Sequence, residues 1–163
     1  MNYVIATLFI GIGATAVMDL WGVIRKPLLG LAPPNYALVG RWIGHMAHGQ
    51  FRHEAIAKSA PAHGEHALGW AVHYLTGIAF AAVLIGVCGL EWVRQPTPGP
   101  ALVVGIGTVA APFLLMQPGM GAGIAASRTP RPGSARLQSV ITHAVFGSGL
   151  YVAGQVLHFI WLI

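Results

Sequence analysis

The sequence predicts an all-α fold: a polytopic membrane protein built as a four-transmembrane-helix bundle, with a short interfacial helix in its first cytoplasmic loop. Three observations carry this. Of the 163 residues, 55% are hydrophobic and only 8% charged, against roughly a quarter charged in a soluble domain. Four apolar runs, 3–24, 66–90, 98–117 and 137–162, match the roughly 20 helical residues that cross a hydrocarbon core of about 30 Å. None has the polar alternation of a barrel strand, so helices are the remaining way to satisfy the backbone in lipid. The chain reads as one membrane domain over 1–163.

The first run contains Ala14-Thr15-Ala16, a small-residue pattern like a cleavage site. No basic segment precedes it, and Arg25 and Lys26 follow it, so it is expected to stay as a helix. Pro27 is expected to close that helix beside those charges. The loop 25–65 is too long for a plain connector. Within it Asn35 is placed to cap a helix from Tyr36 to about His48. Tyr36, Val39, Ile43 and Met46 form an apolar stripe along that helix, and Arg41, His45, His48 and Arg52 a basic one; this is the pattern of a helix lying in the inner-leaflet interface.

Between the second and third runs, "CGLEWVRQPTPGP" is a short loop in which Trp92 is expected to act as an interfacial anchor. The third run is the shortest. It carries Pro112, which frees the carbonyl of Thr108 and should kink the span. It breaks at "MQPGMGAGIAASRTPRPG", whose glycines and prolines suit either a tight turn or irregular backbone lining a polar cavity. The loop 118–136 then leads into the fourth run.

Charge sets the expected topology. Of nine Lys and Arg, five lie between runs one and two, three between runs three and four, and only Arg94 between runs two and three. The positive-inside rule puts both termini outside the cytoplasm and both basic loops inside it. The sequence pI near 10.0 then reflects contact with the lipid bilayer and its anionic headgroups. No nucleic-acid module is recognisable. A lone cysteine, Cys88, excludes an intrachain disulfide or a Cys-pair metal site and is expected to be a small core residue.

The informative residues are the ionisable ones inside the runs. Asp19 lies six residues before Arg25, His143 seven after Arg136, and His73 eight after Glu65. At 1.5 Å per residue these are depths of roughly 9, 10 and 12 Å from the cytoplasmic ends. Three helices thus bring ionisable groups to one level, with Met116 and Gln117 on the same side. An unpaired charge in hydrocarbon is costly, so Asp19 should face the bundle interior and a partner there. His158 falls at the opposite surface.

Three functions fit that layer. The leading one is binding of a transition metal or a b-type haem, with redox activity as a consequence. Asp19, His73 and His143 resemble a zinc or non-haem iron shell, Met116 would favour copper, and His73 with His143 could ligate a haem between helices. His45, His48, His53, Glu65 and His66, with Gln117, form a further candidate polar site on the cytoplasmic side. The second reading is a proton-coupled transporter of a small molecule or ion, which with only four helices would need a homodimer. The third is a non-catalytic subunit in which the polar network only fixes helix packing. A catalytic triad is not supported, because no serine sits in a nucleophile elbow, and the glycine-rich stretches follow no strand as phosphate loops do; the residues leave open whether the chain is an enzyme.

At "GRWIGHMAHGQFRH", "GWAVHY", "MQPGMGAGIAASRTP" and "HAVFGSGLY" the chain resembles a family of small four-span bacterial inner-membrane proteins catalogued only as a domain of unknown function. The resemblance covers nearly the whole length. It implies the four-helix architecture and an inner-membrane location, and it carries no activity, cofactor or site.

Overall fold

The computed structural model describes residues 2–162, whose regular structure is helical with no strand among them. The helices are α1 (Tyr3–Leu29), α2 (Tyr36–Met46), α3 (Glu65–Arg94), α4 (Pro98–Gly107), α5 (Gln117–Met120) and α6 (Pro132–Leu162). Short 3-10 turns occupy Ile56–Lys58 and Ile124–Ala126, and a π-helical turn occupies Pro112–Met116. Four stretches, Tyr3–Leu29, Glu65–Arg94, Pro98–Met120 and Pro132–Trp161, are long and apolar enough to cross a membrane.

The helix limits differ from the sequence expectation in instructive ways. Helix α1 runs through Pro27 to Leu29. The proline forfeits one backbone bond, but the end is set instead by Gly30, which adopts φ 67° and donates its N–H to the Lys26 carbonyl. Helix α3 reaches Arg94, interrupted by Gly89 at φ 72°. Helix α6 starts at Pro132, whose fixed φ suits a first helical position. Pro112 acts as its sequence suggested: the helical ladder changes to the wider π turn from that residue.

The chain divides into two compact units, one of Met1–Pro33, Tyr74–Thr108 and Ile141–Ile163, the other of Pro34–His73 and Val109–Val140. In the first, helices meet backbone to backbone. A Cβ on Gly11 would lie 2.5 Å from the Ile78 Cα, one on Gly149 2.9 Å from the Ala14 Cα, and Gly105 abuts Gly147. Lipid tails are as apolar as leucine, so burial of apolar area drives little helix association in a bilayer. Close van der Waals approach through small residues drives it instead. Around these contacts Ile10, Leu84, Phe146 and Leu150 form the sealed core, whereas Leu20, Val23, Leu75 and Val103 are more than half exposed. That inverted arrangement suits helices solvated by hydrocarbon.

Trp92 departs from its expected role. It is 5% exposed, its indole N–H donates to the Thr97 carbonyl at 3.0 Å, and its ring packs on Gly154. Trp92 belongs to the last turns of α3, which place the indole in the core, and the loop that follows supplies the Thr97 carbonyl that satisfies its single N–H. Cys88 packs half-buried against that core.

The second unit is built around α2. Asn35 caps it, its Oδ1 accepting the Ala37 N–H at 3.1 Å. Gly40 presses against the backbone of Glu65 and Gly69. Two members of the basic stripe turn inward: Arg41 forks onto the Glu65 carboxylate with two bonds of 2.8 Å, and His45 meets His53. The stripe is therefore split, with only His48 and Arg52 left exposed. The physical reason is the lone acid Glu65 at the start of α3, a stronger partner for a guanidinium fork than water.

Candidate functional site

In the first unit two helix pairs each hold one ionisable residue through a hydroxyl. Helices α1 and α3 are antiparallel, and Tyr74 donates its phenolic proton to Asp19 Oδ2 at 3.0 Å. Helices α4 and α6 are antiparallel as well, and Thr108 Oγ1 lies 2.9 Å from His143 Nδ1 and 2.6 Å from the Gly105 carbonyl. A hydroxyl has one proton and a carbonyl only accepts, so the threonine proton goes to Gly105. The imidazole must then be the donor to Thr108, which places its proton on Nδ1 and its lone pair on Nε2. A backbone carbonyl thus selects the histidine tautomer through one intervening side chain, as outer partners do for catalytic and metal-bound histidines.

The register of α1 against α6 places these two groups along the axis. A Cβ on Gly13 would meet Ala153, and one on Gly149 would meet Val17, so four residues forward on α1 correspond to four back on α6. Asp19, two beyond Val17, is then level with Gly147, and His143 sits four residues from that level, about 6 Å.

In the second unit, His73 stacks on Tyr36 with ring centroids 4.0 Å apart and 21° between planes, and Trp70 lies edge-on to it at 6.0 Å. His53 is 8% exposed. Its Nδ1 faces the Gly119 carbonyl at 3.3 Å and its Nε2 faces His45 Nδ1 at 2.8 Å. The carbonyl requires the proton on His53 Nδ1. With both rings neutral, His53 Nε2 accepts from His45 and the second lone pair falls on His45 Nε2. The His53 backbone N–H also donates to Gly119 at 2.9 Å, so the histidine loop is fastened to the MQPGMG segment from both backbone and side chain.

That segment is ordered irregular backbone. The Ala122 N–H returns to the Gln117 carbonyl at 2.8 Å and the Arg128 N–H to the Ala122 carbonyl at 2.8 Å. Gly121, at φ 95°, lies against the Glu54 carbonyl, where a side chain would strain the turn and strike backbone. Ala125 and Ala126 take φ 47° and 59°, left-handed values rare for alanine. Arg136 holds them by donating from Nε to the Ala125 carbonyl at 2.8 Å. Non-glycine strain of this kind costs of order 1–3 kcal/mol and persists where surrounding bonds impose it, often near functional residues.

Gln117 follows the π turn, half-buried, and its Oε1 is sealed from solvent with no hydrogen-bond partner among the described residues. A buried acceptor left unpaired costs about 1–3 kcal/mol. Gln117→Met, similar in shape and without that acceptor, is therefore expected to raise stability by about 1 kcal/mol. Thermal unfolding in detergent checks this; a lowered midpoint would mean that the amide contributes bonds that outweigh the unpaired oxygen.

The remaining candidates are dispersed. Glu65 is committed to Arg41 and to the Ala62 N–H at 2.9 Å. The hydrogen bond to Glu65 holds the Arg41 guanidinium above its ordinary pKa, so it stays charged. His48 and His66 are exposed, and Met116 is half-buried in the π turn. Among the described residues no group of three or more His, Cys, Asp or Glu is arranged to hold a metal ion.

Sequence reasoning missed Tyr74 and Thr108. Each had a signal: Tyr74 follows His73 directly, and Thr108 stands four residues before Pro112, the spacing already used for its carbonyl. The hydroxyl, rather than the carbonyl, proves to be the group that meets His143.

Comparison with curated proteins and with solved structures returns no match. The model of one family, described as protein of unknown function (DUF2938), matches residues 8–157, nearly the entire helical chain whose glycine contacts, hydroxyl-held ionisable pairs and MQPGMG segment are described above, and the protein belongs to that family.

Proposed function

We propose that this chain is a proton-coupled transporter of a small molecule or ion in the bacterial inner membrane. Both termini face outward, the basic loops face the cytoplasm, and the working unit is a homodimer. The observation that carries the reading is the His143 tautomer: Gly105 and Thr108 present Nε2 as a proton acceptor inside a membrane-spanning helix. Energetics point the same way for Asp19. Inserting an aspartate at a helix centre costs about 2.5–3.5 kcal/mol, whereas an interhelical hydrogen bond in a membrane returns about 0.6 kcal/mol on average. Proton handling is the ordinary use of intramembrane carboxylates and imidazoles.

The test is proton movement in liposomes containing the purified protein, followed with an internal pH dye under an imposed gradient while inorganic ions and small metabolites are supplied in turn as co-substrates. Wild type is expected to dissipate the gradient. Thr108→Val, which removes the acceptor for Nδ1–H and frees the tautomer, is expected to slow dissipation by about 10²-fold, while Thr108→Ser retains the hydroxyl and the rate. Equal rates for Thr108→Val and wild type, with both folded, would leave the polar pairs with a packing role and reject the proposal.

The same Nε2 favours a second reading, since an oriented imidazole lone pair is also a haem or metal ligand. Elemental analysis for iron, copper and zinc, with an absorption spectrum, separates the two: near-stoichiometric metal that His143→Ala loses supports ligation.

A further inference from the structure

The loop between α2 and α3 forms a cleft of about 540 Å³ lined by Gln50, Arg52, His53, Glu54, Lys58 and Ser59. Its wall is held in place at three points. His53 is fastened to Gly119, Ile56 is 4% exposed, and the Ser59 carbonyl accepts from Arg41 Nη1 at 2.9 Å. Arg52, Glu54 and Lys58 stand between those anchors and are exposed. The two cations are therefore carried on an anchored backbone, so the loop itself has little left to order when an anion binds.

We propose that this cleft binds the phosphodiester headgroup of an anionic glycerophospholipid. The chemistry common to all candidate ligands is a phosphate held by Arg52 and Lys58, with Gln50 and Ser59 as neutral hydrogen-bond partners. Charge narrows the choice. Arg52 and Lys58 against Glu54 leave one net positive charge, which matches a singly charged phosphodiester better than a doubly charged phosphate. The volume falls within the range of sites that enclose small organic molecules, larger than a lone phosphate needs. Phe51, adjacent to Arg52, is 59% exposed while its carbonyl is tied to the Trp42 indole N–H at 3.0 Å. That places an apolar ring beside the cations, as an acyl–headgroup boundary requires. The inference is independent of the proton reading.

Native mass spectrometry of the purified full chain, titrated with phosphatidylglycerol or phosphatidylcholine, tests it. Wild type is expected to retain phosphatidylglycerol preferentially. Arg52→Gln with Lys58→Gln is expected to weaken that binding about thirty-fold, from about five-fold per cation. Arg128→Gln with Arg131→Gln removes the same charge elsewhere and should change it little. Because Arg52 and Lys58 are exposed, the variants should fold, and Arg52→Lys with Lys58→Arg should keep binding. Equal losses in the two double variants would indicate unspecific surface attraction and overturn the site. Displacement of the lipid by excess inorganic phosphate would overturn the lipid assignment; its retention supports a phosphodiester with a lipid body.

Discussion

Gly105→Leu is expected to abolish stable packing of α4 on α6, with a loss of ~3 kcal/mol or more. Gly105 is fully buried, and any Cβ there would run into the Gly147 backbone and stand 3.1 Å from the His143 carbonyl. Backbone has no rotamer with which to retreat, so the two helices must separate. In a bilayer that separation is not resisted by apolar burial, because lipid replaces each lost contact with an equivalent one. Separation would also pull Thr108, one turn from Gly105, off His143. Gly107→Leu is the control: a Cβ there meets nothing within 4 Å, and because glycine is roughly 0.8–1.0 kcal/mol less favourable than alanine in a helix, its replacement should not destabilise. Thermal unfolding of the two variants in the same detergent decides the matter. Indistinguishable midpoints would mean that the α4–α6 approach does not hold the unit together.

The second large effect is on proton movement. Asp19→Asn is expected to lower the rate of gradient dissipation by about 10²-fold or more while leaving the unfolding midpoint within about 0.6 kcal/mol of wild type. An amide oxygen still accepts the Tyr74 phenol proton, so the α1–α3 bond at 3.0 Å has a chemical equivalent in the variant. What disappears is the site that can take up and release a proton. Asp19→Glu should retain part of the activity, since it keeps the carboxyl group at a changed length. Unchanged dissipation by folded Asp19→Asn would remove Asp19 from any proton route. A parallel loss of folding and activity would assign it to packing.

How much of the site was legible depended on whether its chemistry was local. Asp19, His73 and His143 stood out because ionisable groups are improbable in hydrocarbon, a cost paid residue by residue and visible in one dimension. The partners of Asp19 and His143 were not legible. Tyr74 and Thr108 reach them across helix pairs whose rotation and axial register are set by Gly11 against Ile78 and Gly105 against Gly147, and helical periodicity fixes neither. The His45–His53 bond has the same origin. The rings are eight residues apart, a spacing that α2 alone would not bring together; the reversal after Met46 does so.

The sequence by itself determined the elements whose free energy is local: four apolar helices, the Asn35 cap, and the break at Pro112 and MQPGMG, each following from transfer, capping or proline chemistry within a few residues. The tertiary structure alone decided what those elements do with their polar groups. It buried Trp92 instead of leaving it at an interface, turned Arg41 inward onto Glu65, and set the tautomer of His143 through Thr108. These outcomes depend on which backbones approach closely enough for a hydrogen bond of about 3 Å, and that is a property of the packed pair, not of either helix.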